Sequence, residues 1–197
     1  MRAPVDLAHA SRLVNHGPTV LVSCAAGGVR NLMAAAWSMP VEFTPPRIAV
    51  VIDKRTLTRE LILASGTLAL NIATRAQADL TWTVGSVSGR DSLPARDKFT
   101  QYGIASFAGP LLGLPLVEGC AGWLECRLLR EPHAEDAYDT FFVEAVSALA
   151  DSRVFSQGRW SLRSDNAELH TLHHLGAGLF GVPSSLVQGQ TLPGASG

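Results

Sequence analysis

The sequence has little of what usually announces a function. Three cysteines, Cys24, Cys120 and Cys126, are an odd count with no CxxC pair. That argues against a disulfide framework or a structural zinc site, and each reads as a small buried hydrophobe. Lysine occurs only twice, at Lys54 and Lys98. Charged residues make up 17%, the formal net charge is −1, and the arginines are scattered. A chain without a polybasic run is not built as a nucleic-acid surface, so no nucleic-acid partner is expected. The longest apolar runs, such as Ile48 to Ile52, are too short to cross a bilayer, so no membrane partner is expected either. The opening stretch MRAPVDLAHASRL lacks the apolar core of a secretory leader, and a cytoplasmic location is expected. Internal repeats and domain linkers are absent from the pattern.

What is present is apolar: 47% of the 197 residues, enough for one compact domain with a real core. Asn15 to Pro18 is turn chemistry, and Thr19 to Cys24 reads as a strand. Gly27-Gly28 predicts a tight hairpin returning through Asn31 to Ser38. Pro45-Pro46 breaks the chain, and Arg47 to Asp53 is apolar on both faces, which predicts a central strand. Leu57, Leu61 and Ala64 have helical spacing over Thr56 to Ser65, with Gly66 as the stop. Thr67 to Ile72 predicts a strand, Gln77 to Val84 a short helix, and Gly85 to Pro115 long functional loops. Gly122 to Leu129 alternates as a strand with one wet face carrying Glu125 and Arg127. A further strand is predicted over Tyr138 to Ala150, a hairpin around Gln157-Gly158, and a helical turn or two over Glu168 to Leu175. The tail from Ser184 is expected to fray. Several strands with few short helices predict a mainly β fold, a barrel with α insertions.

Four segments carry chemistry. The alanine-rich run from Asn31 to Trp37 leaves its backbone unshielded, so a flat ligand can lie against it. The plain alternative is an ordinary close-crossing strand with Trp37 in the core. Asp53-Lys54-Arg55-Thr56 ends a strand and opens a helix, where free amides and two cations suit an anion; the alternative is a capped, solvated turn. Ser88-Gly89-Arg90-Asp91, followed by Asp97-Lys98-Phe99, offers a hydroxyl, a close backbone approach and positive charge; the alternative is a surface loop with local ion pairs. His170, His173 and His174 stand at i, i+3 and i+4, a spacing that on a helix can bind metal or simply cover a pocket.

Taken in order, these segments resemble the flavin reductase-like family with the FMN-binding split-barrel fold. The likeness runs from about His16 to Val182 through Asn31–Trp37, Pro45-Pro46 into Asp53, Arg55-Thr56 with Thr58, the strand ending in Asn71, the Ser88–Asp91 and Asp97–Phe99 pieces, and Leu124-Glu125-Cys126. The resemblance implies a homodimer of Greek-key-like barrels with one FMN, or alternatively FAD, per subunit. By motif position, Asn31 and the backbone of Met33, Ala34, Ala35, Ala36 and Trp37 would meet the isoalloxazine and ribityl. Asp53, Lys54, Arg55 and Thr56 would line the next stretch, with Asn71 at the end of the following strand. Ser88, Gly89, Arg90 and Lys98 would serve the phosphate, and the region of His173 and Phe180 would close the pocket, from the same or the partner subunit. Ala34 and Ala36 replace hydroxyl residues common in relatives, so those contacts fall to backbone. Ala137-Tyr138-Asp139 stands where many relatives carry Gly-Asp-His. Ser92 to Arg96 is an insertion between the two phosphate pieces.

The preferred functional expectation is an NAD(P)H:FMN oxidoreductase. Its nicotinamide C4 gives hydride to flavin N5, and reduced flavin or electrons pass on to a monooxygenase or other redox partner. No catalytic side chain is obligatory there, because the flavin carries the chemistry. A non-enzymatic FMN carrier or electron-transfer module is the second reading, and a metal-dependent hydrolase using His170, His173 and His174 the third.

Overall fold

A computed structural model describes residues 1–91 and 97–192, so the expected insertion lies outside the described residues. Its strands are β1 (Arg2–Pro4), β2 (Val20–Ala26), β3 (Val29–Ala35), β4 (Ser38–Phe43), β5 (Pro46–Val51), β6 (Thr67–Ile72), β7 (Ser106–Ala108), β8 (Pro115–Val117), β9 (Gly122–Leu129), β10 (Thr140–Asp151), β11 (Phe155–Ser156), β12 (Arg159–Trp160), β13 (His173–Gly176) and β14 (Leu179–Gly181). The helices are α1 (Leu57–Ser65), α2 (Ala78–Ser86), α3 (Lys98–Gln101) and α4 (Pro132–Tyr138). The main sheet is antiparallel in the order β3-β2-β6-β9-β10-β5-β4, with β1 added to β10. Its two end strands, β3 and β4, are consecutive in the chain and joined by only Ala36 and Trp37. The sheet must therefore curl back on itself, as the expected mainly β barrel requires. None of the described helices is long and apolar enough to cross a membrane.

Local chemistry explains the elements. Gly27 and Gly28 both take positive φ (56° and 78°), the backbone of a two-residue turn between β2 and β3. Thr56 caps α1, its hydroxyl accepting from Arg59 N, and Gly66 closes it with φ 69°. Strand β10 shifts register between Ala145 and Ser147, a bulge that lets one twelve-residue strand pair β9 along its length and β5 and β1 in turn.

Alternation sends Val20, Val22, Ile48, Val50, Leu68, Leu70, Leu124 and Phe141 into the barrel. On the other face of β2, β6 and β9, Leu21, Ala69 and Trp123 form a second core with Val84 of α2 and Phe99 of α3. This second layer corrects three expectations. Glu125 is not on a wet face but buried, its carboxylate accepting from Leu111 N (2.9 Å) and Leu112 N (2.8 Å). Gly85 to Pro115 is not all loop, since α3, β7 and part of the second core lie in it. The segment before Thr140 is helix α4, opened by Pro132 and ended by Asp139 at φ 53°, so the strand expected from Tyr138 starts at Thr140. The run Asn31 to Ser38 is also not one strand, because it breaks at Ala36-Trp37 and resumes as β4.

Asn71 ties the layers together. Its Nδ2 donates to Leu21 O (2.7 Å) and Ser23 Oγ (3.0 Å), and its Oδ1 accepts from Val117 N (2.8 Å). Asn71→Leu leaves the buried Val117 amide without an acceptor, so urea unfolding is expected to show a loss of about 1–3 kcal/mol. A midpoint equal to that of the parent would show that the bond carries no net stability.

Candidate functional site

β3 pairs with β2 on one side and, among the described residues, with no strand on the other. Helices α1, α2 and α3 pack along it instead. Small residues set how close they come. A Cβ on Gly85, in the last turn of α2, would lie 3.1 Å from the Ala34 Cβ. A Cβ on Gly89 would lie 2.6 Å from Oδ1 of Asn31, so glycine is required there. Asn31 itself is buried, and its Nδ2 donates to Thr58 Oγ1 of α1 at 2.9 Å. Its Oδ1 is buried with no hydrogen-bond partner among the described residues. An orphaned amide oxygen in that position costs about 1–3 kcal/mol unless a ligand completes it.

Around Asn31 the expected loops converge. Arg90 Nε donates to Arg55 O (3.3 Å) and its guanidinium pairs with Glu60 (3.0 Å). Ser88 Oγ accepts from Arg90 N at 3.1 Å. Arg55 is exposed and grips Asp53 through Nε and Nη2, which holds the Asp53 carboxyl down at about 2. Thr56 Oγ1 is spent on the cap of α1. Lys98 is only 1% exposed, and its Nζ donates to Val84 O at 2.7 Å. Burial pushes its ammonium down to about 8. With three protons and, among the described residues, Val84 O as acceptor, this buried cation has donors to offer an anion. Lys54 does not join them, since its Nζ turns to Asp136 O (3.1 Å) and Asp139 Oδ1 (3.5 Å) beside α4.

Further along the same strand lies a niche of about 150 Å³, lined by Thr19, Ala34, Ala36, Thr81, Trp82, Gly85, Ser86, His174 and Phe180. Thr81 Oγ1 is buried there without a partner. Ala34, Ala36 and Phe180 were expected at such a pocket. Thr81, Trp82 and Ser86 were missed: small hydroxyl residues on a short helix follow no pattern, and only the indole of Trp82 stood out in the sequence. Met33 and Ala35 face the barrel interior, so only their backbone is available to a ligand. Trp37 is neither in the core nor in the niche; it is 74% exposed. Asn71 is fully buried with its amide engaged at both ends, and does not reach the cleft.

The histidine segment differs most. The helical turns end at Leu169, and His173 and His174 lie on strand β13, so successive side chains point to opposite faces. His174 packs on Phe180 (ring centroids 5.4 Å) and lines the niche. His173 turns the other way, toward His16 (5.3 Å). His170 bonds Asn166 Oδ1 at 3.0 Å. The single helical face needed for the metal reading does not form, and among the described residues no three His, Cys, Asp or Glu side chains are grouped to hold a metal.

Comparison with known proteins bears on the family and the fold. The flavin reductase like domain family matches residues 12–164. An uncharacterized protein of Escherichia coli, YddH, is 57% identical over 180 residues, 90% of this chain and 92% of that one. An FMN-binding domain of a flavin reductases-like enzyme from Shewanella baltica superposes with a TM-score of 0.90 at 41% identity, covering 96% of this chain and 98% of the other. An FMN-binding protein from Thermus thermophilus, with bound 1-cyclohex-2-enone, gives a TM-score of 0.74 at 25% identity, covering 88% and 90%.

Thr171 Oγ1 lies 3.1 Å from Nε2 of both His16 and His173. A hydroxyl has one proton to give, so one ring accepts from it and the other donates to it. Desolvation first, then the neighbouring His173, lowers His16 to about 4, and burial lowers His173 as well. Below pH 6.5 the unfolded chain binds protons that the folded chain refuses. Stability is thus complete above about pH 6.5 and falls as the pH drops toward 4. Because His16 keeps contact with water, the loss is a fraction of what full burial would give. Urea midpoints measured between pH 7.5 and 4.5 are expected to fall in the parent and to flatten in His16→Gln. Parallel profiles would overturn this.

Proposed function

Because the chain belongs to the flavin reductase-like family, we propose that it binds FMN along the open edge of β3 and uses it to take hydride from NADH or NADPH. The observation that carries this reading is the buried, unpartnered Oδ1 of Asn31 beneath Gly89, with Lys98, Arg55 and Arg90 on the surrounding elements. These features fit the group: an orphaned polar atom, a cradle that a Cβ would fill, and cations for a phosphate dianion. The Shewanella baltica relative, described as FMN-binding, supports the same cofactor.

In this reading Arg55, Arg90, Ser88 and Lys98 hold the phosphate end. Asn31 completes its hydrogen bonding on the ribityl chain. The main chain from Met33 to Trp37 orients the ring system, since Ala34 and Ala36 have no polar atoms to offer. Bound FMN supplies reversible two-electron acceptance, so no side-chain acid or base is required. The niche beside Ala34 and Ala36 takes one ring of a co-substrate and keeps water from it; a space of this size suits a ring of benzene dimensions.

A specific observation keeps the electron-transfer reading beside it. Asp139 stands where many relatives carry a histidine, and its carboxylate is occupied by Arg59 (3.4 Å) and Lys54 (3.5 Å). No proton-handling group remains at that position.

A second copy of the chain is the proposed partner. Trp37, just before the end strand β4, and Met39, Val41 and Phe43 within it, whose register shifts between Pro40 and Glu42, are 74%, 61%, 45% and 72% exposed. Large apolar side chains clustered in this way are ordinarily covered.

Purified protein is expected to show flavin absorbance, with FMN released on heating. Lys98 is charged below about pH 8, so the FMN dissociation constant should rise as the pH climbs past 8. Lys98→Met should raise it roughly 10- to 150-fold and remove that pH dependence, the equivalent of one charge-assisted bond. An unchanged constant would remove Lys98 from the phosphate site. Anaerobic NADH or NADPH should bleach the bound flavin within minutes; failure of both would leave the electron-transfer reading standing. Met39→Glu combined with Phe43→Glu should convert a dimer to a monomer in sedimentation, and an intact dimer would place the interface elsewhere.

A further inference from the structure

Beyond the niche, on the far side of Phe180, lies a second and larger groove of about 550 Å³. Its lining includes Arg75, Arg163, Ser164, His170 and Ser184, and Phe180 borders both spaces. The two differ in chemistry. The niche is small and lined by apolar, aromatic and hydroxyl residues with His174, whereas the groove presents two guanidinium groups and no carboxylate among its lining residues.

The state of these cations matters more than their number. Arg75 is exposed, and among the described residues its guanidinium has no carboxylate or carbonyl partner; its backbone N–H donates to His170 O at 2.8 Å. That backbone bond fixes where the residue stands while leaving its charge unspent. Arg163 is paired through Nε with Asp165 at 2.9 Å, but both side chains are more than half exposed, so the pair is weak and Nη2 stays available. His170 forms a buried part of the lining, its ring held by Asn166. Arginines that line one concave surface with N–H donors unspent bind phosphate or carboxylate through paired N–H groups.

We infer that this groove is an anion subsite for the co-substrate: it takes the phosphate or carboxylate of a molecule whose ring enters the niche past Phe180. The inference rests on the reading of the niche as the place where a ring meets the flavin. It adds a substrate class, namely a planar ring tethered to an anionic group, and it makes Arg75 the residue that selects for the anion.

The test uses FMN-loaded protein and isothermal titration with two probes. Adenosine 2′,5′-bisphosphate stands for a nucleotide phosphate, and benzoate for a carboxylate borne on a ring. At least one is expected to bind, and Arg75→Gln should weaken that binding about tenfold or more while FMN retention and melting temperature stay as in the parent. Ser184→Glu, which sets a carboxylate in the groove from an exposed position, should do the same. A response confined to the bisphosphate identifies a nucleotide co-substrate; one confined to benzoate identifies an aromatic acid. The inference is overturned if neither probe binds, or if binding is indifferent to both substitutions. Repeating the titration on flavin-free protein separates the two readings, because the groove's affinity for an anion does not require FMN, whereas failure to retain flavin strikes only at the function proposed above.

Discussion

Everything in this molecule that bears on function depends on one strand edge left without a partner strand. The main sheet begins at β3 and ends at β4, neighbours in sequence separated by two residues, so the barrel nearly closes yet leaves the outer backbone of β3 to be covered by helices. A bare strand edge is a liability, and covering it is one of the ways proteins manage it. Here the cover is thin. Alanines on the strand and glycines on the helical side bring backbone near backbone, as the Ala34–Gly85 and Asn31–Gly89 approaches record. The same smallness leaves room for a ligand and fixes the kind of contact it makes, which is with main chain rather than with side chain.

Charge is arranged on the same principle of incomplete satisfaction. Most cations of the chain are matched: Lys54 with Asp139, Arg153 with Asp151, Arg130 with Glu135. Matched surface pairs contribute little to stability. Among the described residues, two of the cations without a carboxylate partner stand at the spaces discussed above. Lys98 is buried against a helix-end carbonyl, and Arg75 stands on the rim of a groove. They lie in different regions, one beside the loops around Asn31 and one beyond Phe180.

The sequence made the local chemistry readable and left the layering hidden. The Gly27-Gly28 turn, the Thr56 cap and the Gly66 stop were legible because each depends on the backbone preferences of one or two residues. The convergence of Asn31, Arg55 and Ser88–Arg90 was legible through an ordered set of motifs. Glu125 was misread, because alternation reports on which face a residue points to and not on what covers that face; a turn at Gly109–Leu112 folds over it. The histidines were misread for a related reason. Their spacing fits a helix, but Gly176 and Gly178, both at positive φ, favour a hairpin, and the strand it builds divides His173 from His174. Asn71 matched a motif position, yet its neighbours were invisible until the second layer was built. Long-range packing decided each of these cases, and no window of local sequence contains it.

The three thiols carry a last consequence. Cys24, Cys120 and Cys126 are fully buried, and burial pushes Cys24 and Cys120 up to about 12 and Cys126 higher still. At neutral pH the thiols are thereby held in the protonated form, which is not the nucleophile. On the reading proposed above, reduced flavin would meet dissolved oxygen and leave peroxide beside the protein. The oxidisable sulfur of this chain lies locked inside the two cores, out of reach and in its least reactive state.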